Sequence, residues 1–209
     1  MKVTEIISLS YRPGLYRVSV DSRPLGYVMP EDIFTLGLVL GRKLNDSEYQ
    51  QLLATVKYTA WYGAAARYAM RRLRSKSEVV LYLARRDCDR QTASKIANKL
   101  EELGIIDEVK LAEAYVHDSL STKFMSKKAL ELKLRQKNID TEIIVRELES
   151  SKVQDTEMLD ALIAKKKDMP SYANNKERLF RYLLNKGFRY EDISARIGRP
   201  GPKKRRLGL

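Results

Sequence analysis

The sequence predicts a mainly α-helical chain: three tandem three-helix repeats forming an elongated, curved body, preceded by a small N-terminal strand-rich region. Three observations carry this. Apolar residues recur at helical spacing from about residue 46 to residue 198, and one helix-ending phrase occurs three times. Only the first 30 or so residues are dominated by Val, Ile, Tyr and Ser, with partial alternation at Tyr16, Val18 and Val20.

In the opening region, Tyr11-Arg12-Pro13-Gly14 and Asp21-Ser22-Arg23-Pro24 have turn chemistry, so about three short strands in a meander are expected. A sheet this small must pack against the helical part to be stable. Pro30-Glu31-Asp32 then starts a short helix, with Pro in the first turn and acids at the positive end of the dipole, and Gly41 is expected to close it.

Asn45-x-x-Glu48 is a cap signal, and the apolar residues after it predict one long helix reaching Met70 and Leu73. Tyr58, Trp61, Tyr62 and Tyr68 on this helix read as core residues rather than base-stacking platforms, because aromatics at helical spacing usually pack inward. Ser75-x-x-Glu78 spells the next helix start, with Val79, Val80 and Leu83 on its stripe. After the break at Asp87-Cys88-Asp89, a second stripe of Ala93, Ile96, Ala97, Leu100 and Leu103 ends at Gly104, a natural left-handed C-cap residue with Ile105 placed to dock.

The repeated phrase is Leu83 to Cys88, Leu134 to Ile139 and Leu183 to Phe188. Each has an apolar residue ending the stripe, a basic residue in the last turn, a residue tolerant of left-handed geometry, and an apolar residue that docks. Val79, Leu130 and Leu179 stand four residues earlier on the same face. A further helix follows each time, and another precedes each pair: the long helix, then Glu108 to Leu120, then Glu157 to Asp168, which Met169-Pro170 ends. The predicted segments are an extension over 1–45, repeats over 46–106, 107–154 and 155–198, and a flexible basic tail over 199–209. Such repeats stack on their neighbours.

The chain carries 40 Lys and Arg against 27 Asp and Glu, a net charge of +13. Polyanions are the expected partners, since the charge is clustered as an electrostatic footprint requires. The candidate nucleic-acid or filament contacts are Arg67, Arg71, Arg72, Arg74 and Lys76, then Lys165, Lys166 and Lys167, then Lys203, Lys204, Arg205 and Arg206. Leu100 to Asp118 holds six acids against Lys110 alone, so an acidic face is expected as well.

Catalytic chemistry has little to work with. His117 is the only His and sits within a predicted helix. Cys88, the only Cys, lies between two acids in an apolar docking slot and is expected to be packed and unreactive. No Gly-rich phosphate loop or metal-ligand spacing occurs, so no enzyme activity, cofactor or metal is expected. A single Cys, no leader-like segment and no long apolar run point to the cytoplasm and away from membranes.

The basic segment, the Ser-x-x-Glu cap, Leu103-Gly104-Ile105-Ile106-Asp107-Glu108, Leu111-Ala112-Glu113-Ala114-Tyr115-Val116 and Leu130 to Ile139 together resemble the RecX regulatory protein family. The match is good over residues 64 to 150 and weaker over 155 to 197, and the strand-rich opening resembles an extension carried by some members. The departures are Glu108 where a second Asp is common, Leu111 where Phe is common, Ser126 near a usual Gly, and His117 and Ser119 where Arg is frequent. The resemblance implies a negative regulator of the RecA recombinase, and the chain itself is expected to be a monomer. Such a protein lies in the groove of a RecA filament on single-stranded DNA and blocks ATP hydrolysis and strand exchange; double-stranded DNA is a further expected polyanion for a chain of this charge. Two alternatives stand beside it: a sequence-specific DNA-binding regulator with a helix-turn-helix over Phe188 to Gly198, and a helical protein-protein scaffold.

Overall fold

The computed structural model describes residues 1–10, 13–151, 154–173 and 175–199, which fall into two compact units, 1–106 and 107 onward. The first unit opens with three strands, β1 (Val3–Ser8), β2 (Tyr16–Val20) and β3 (Arg23–Val28), in an antiparallel sheet of order β1-β2-β3. Val3 pairs with Val20, Ile6 with Val18, and Tyr16 with Val28. The β2–β3 connection is the two-residue loop Asp21-Ser22, both at positive φ (48° and 66°), a backbone twist that matches the strands. It is tied to β1 and the residue before it: Asp21 accepts from the Lys2 amide at 2.8 Å, and the Ser22 amide donates to Thr4 Oγ1 at 2.9 Å. Pro24 is tolerated because β3 is an edge strand.

Helix α1 (Pro30–Thr35) ends sooner than expected. Gly37, at φ 56°, follows its cap and lets Leu38 turn back into the core, while Gly41 belongs to a later turn whose amide donates to Val3 O. Helix α2 (Asp46–Met70) begins with the anticipated reciprocal cap, Glu48 N to Asn45 Oδ1 at 2.9 Å and Asn45 N to Glu48 Oε2 at 2.8 Å. One face of α2 buries Leu52 with Val3, Val18, Val20 and Val28, which gives the small sheet its support.

Farther along, α2 packs through Ala65 and Ala69 against α3 (Lys76–Ala84) and α4 (Arg90–Glu102), around Val79, Leu83, Ala93, Ile96 and Leu100. Tyr58, Trp61, Tyr62 and Tyr68 are half-buried against this core, as their spacing predicts. Cys88 is buried in it too. Burial is the larger reason its thiol pKa is raised, with the Asp89 charge second.

The second unit contains α5 (Glu108–Asp118), a π-helical turn (Ser119–Lys123), α6 (Lys127–Gln136), α7 (Thr141–Ser150), α8 (Asp155–Lys166), α9 (Lys176–Asn185) and α10 (Tyr190–Ile197). Leu111, Val116, Leu130, Leu134 and Ile144 form one core, and Leu159, Leu162, Phe180, Leu183 and Ile193 another. Leu120 touches both. The π-helical turn has no counterpart in the sequence reading, which continues α5 as an ordinary helix to Leu120.

The three helix ends that share a phrase share a geometry. The amides of Cys88, Ile139 and Phe188 donate to the carbonyls of Leu83, Leu134 and Leu183 at 3.3, 3.3 and 3.4 Å. Those of Asp87, Asn138 and Gly187 donate to Ala84, Arg135 and Leu184 at 3.2, 2.8 and 2.8 Å. This is the Schellman pattern, and its left-handed residues are Asp87, Asn138 and Gly187 at φ 57°, 53° and 89°.

Candidate nucleic-acid interface

The first basic group is divided by the way α2 ends. Arg67 is exposed on the last turn of α2, and Arg71 and Arg72 are exposed just beyond it. The basic segment past Met70 is therefore a connector rather than helix, because the Ser75 cap must adopt extended geometry (φ −81°, ψ 160°) to start α3.

Arg74 and Lys76 have other partners. The Arg74 side chain is only 12% exposed, lies 3.4 Å from Glu78 and stacks 4.0 Å above the Tyr68 ring. Its Nε is buried with no hydrogen-bond partner among the described residues, as a stacked guanidinium allows. Lys76 pairs with Glu101 at 2.9 Å. Arg67, Arg71 and Arg72 are the members of this group presented to solvent.

Lys165, Lys166 and Lys167 close α8, where positive charge complements the dipole. Lys165 sits 5.2 Å above Phe124 and Lys166 5.7 Å above Tyr182. The third basic group, Lys203, Lys204, Arg205 and Arg206, lies outside the described residues.

The structure adds lysines that the sequence reading missed. Lys186, at the cap of α9, donates to the Lys123 carbonyl at 2.7 Å and lies 5.5 Å above Tyr182. Burial, then the charges of Lys133, Lys166 and Lys123, lower its pKa. Lys123 pairs with Asp118 and lies 5.2 Å above Tyr115. A signal was present: from Lys123 to Lys137 there are six basic residues and one acid, Glu131. The repeat phrase absorbed Lys186 as a dipole partner, and its place with Lys166 over the Tyr182 ring is made by packing.

Elsewhere, His117 is exposed on the last turn of α5. Among the described residues, no group of three or more His, Cys, Asp or Glu is placed to hold a metal ion, and no helix is long and apolar enough to cross a membrane.

No protein-family model matches the chain. A crystal structure of RecX from Lactobacillus salivarius is 30% identical, with a TM-score of 0.53, and the match covers 66% of this chain and 92% of that one. The chain belongs to the RecX family. The regulatory protein RecX of Streptococcus gordonii is 28% identical over 200 residues, which are 93% of this chain and 75% of that protein. A further crystal structure of regulatory protein RecX has the same fold, at a TM-score of 0.70 and 21% identity, covering 94% of this chain and 98% of that one. The mainly helical body with a three-stranded opening is thus a RecX architecture.

Proposed function

We propose that this RecX-family chain is a negative regulator of the RecA recombinase, acting as a monomer in the groove of a RecA filament on single-stranded DNA and inhibiting ATP hydrolysis and strand exchange. Family membership, secured by the 30%-identical RecX structure, is the observation that carries the reading. The exposed cations Arg67, Arg71 and Arg72 are candidate phosphate contacts, joined by Lys165, Lys166, Lys167 and the 203–206 cluster. On this reading the helical triplets over 46–106, 107–154 and 155–198 serve as successive units along one polymer, so that weak contacts gain avidity by linkage.

The helix-turn-helix alternative draws less support. Helix α10 spans eight residues, and Arg196, its one basic side chain, is engaged by Asp160 and the Asp192 carbonyl rather than facing a groove.

The test is the steady-state ATPase of a preformed RecA filament on single-stranded DNA as this protein is titrated in. Substoichiometric inhibition is expected. Loss of activity only when the protein is added before RecA would mean template competition, and no effect at saturating DNA binding would remove the assignment.

A further inference from the structure

The π-helical turn Ser119–Lys123 ends on Phe124, which sits at φ 48°, ψ 63°, a left-handed conformation that a bulky residue rarely adopts. Ser119, at its start, is fully buried and its Oγ has no hydrogen-bond partner among the described residues. Local strain and an unsatisfied polar atom persist only where the surrounding structure imposes them, and π-turns recur at functional sites. Here the consequence is positional. The turn delivers the Lys123 carbonyl to Lys186 and sets the Phe124 ring beneath Lys165.

Lys166 on α8 and Lys186 at the end of α9 complete the cluster, with Tyr182 half-buried between them, and the charge of Lys133 on α6 also bears on Lys186. Gathering like charges is unfavourable in the isolated protein, and a bound polyanion relieves the cost. Lys165 stands over Phe124 while Lys166 and Lys186 stand over Tyr182, so the cations address two ring positions, as suits a chain of phosphates. The ammonium-to-ring distances of 5.2 to 5.7 Å are near the outer reach of cation–π contact, so the lysines can move onto phosphate and uncover the rings. Ring faces interleaved with cations are how single-stranded nucleic acid is held, its bases being free to stack.

We propose that the surface framed by Lys133, Lys165, Lys166 and Lys186 binds the phosphodiester backbone of single-stranded nucleic acid, with Phe124 and Tyr182 as faces for its bases. The site lies wholly within the second unit and is built from residues other than the arginines at the end of α2. It takes from the proposed function the identity of the polymer and the candidate contacts Lys165 and Lys166.

The test uses the full chain and a fluorescent oligothymidylate, with no recombinase present, so its failure is separable from failure of the RecA reading. Anisotropy titrations across a salt series compare the parent with Lys133→Gln/Lys165→Gln/Lys166→Gln, and with Lys57→Gln, an exposed α2 lysine, as the charge control. The triple variant is expected to lower the log–log salt slope by about 2, near 0.7 per lost contact. The control should leave it unchanged. Lys186→Gln should act in the same direction, with thermal melting to verify its fold, and Tyr182→Leu should lower affinity without moving the slope. An unaltered slope in the triple variant would overturn the proposal. So would equal binding to duplex of the same length, or equal competition by polyglutamate, which would make the site an acidic-protein contact.

Discussion

Tyr68 of α2 and Tyr82 of α3 lie face to face, with ring centroids 4.0 Å apart and planes 9° from parallel. The Arg74 guanidinium caps the Tyr68 ring at 4.0 Å and that of Arg86 caps the Tyr82 ring at 3.8 Å. Because the inner faces are occupied by each other, the two cations close the ends of a four-layer column. Trp61 fastens the same corner by donating from Nε1 to the Arg86 carbonyl at 3.1 Å. A residue predicted to touch phosphate is thereby a pin between two helices.

Arg74→Ala should therefore cost stability, by about 1–2 kcal/mol for a partly desolvated cation–π contact and its ion pair. Arg74→Lys should recover little of it, since an ammonium cannot stack as a plane. Arg71→Ala and Arg72→Ala, both exposed, should stay within about 0.5 kcal/mol of the parent. Urea midpoints at constant m-value distinguish the two classes.

In DNA binding the order reverses. Reversing Arg71 and Arg72 to Glu should weaken binding to all sequences alike and flatten its salt dependence by roughly 0.7 per lost contact on single strands. Filter binding of random single-stranded and duplex DNA over a salt series measures this. A strong preference for one duplex sequence would instead favour the helix-turn-helix reading.

Two glycines at helix ends should respond differently to alanine. Gly104, at φ 68°, has open space where a Cβ would go, so Gly104→Ala should cost only the left-handed penalty of about 1–2 kcal/mol. Gly187, at φ 89°, would place its Cβ 2.4 Å from Ala129 Cβ and 2.5 Å from Ser126 Oγ, at the start of α6. The overlap adds about 1–3 kcal/mol. Gly187→Ala should thus be the more destabilising change by calorimetry, and should disturb the Ser126 amide bond to the Lys186 carbonyl at 3.0 Å.

Acid should weaken the second unit through two carboxylates. The Lys110 backbone amide is the chief reason that Asp107, the N-cap of α5, is held below the ordinary carboxylate range. Lys123 and then Thr122 lower Asp118. Folded-state values below the unfolded ones mean that the unfolded chain binds more protons in the window between them. Their stabilisation is therefore present above the ordinary value of about 3.9 and lost as pH falls through the folded values. Asp107→Asn keeps a good cap without the charge, so it should flatten the fall in urea midpoint below about pH 4.

Much of the fold was legible because it rests on local rules. The caps at Asn45 and Ser75, the left-handed turns at Gly104 and Gly187, and the three-strand opening follow from hydrogen-bond donors and backbone freedom within a few residues of each other. The misplaced ends are local too, but each was decided by competition. Gly37 intervened before Gly41, and the Ser75 cap stopped α2 before Leu73.

By itself the sequence determined most helix boundaries to within a few residues, though not the end of α1, together with the burial of Cys88 and the residue types that carry the RecX likeness. Tertiary structure alone decided which cations are at work inside the protein and which face solvent. A charge run states how many positive groups occupy a stretch. Whether Arg74 lies on a ring, or Lys186 shares the Tyr182 ring with Lys166, depends on side chains brought from distant elements, and only packing sets those distances.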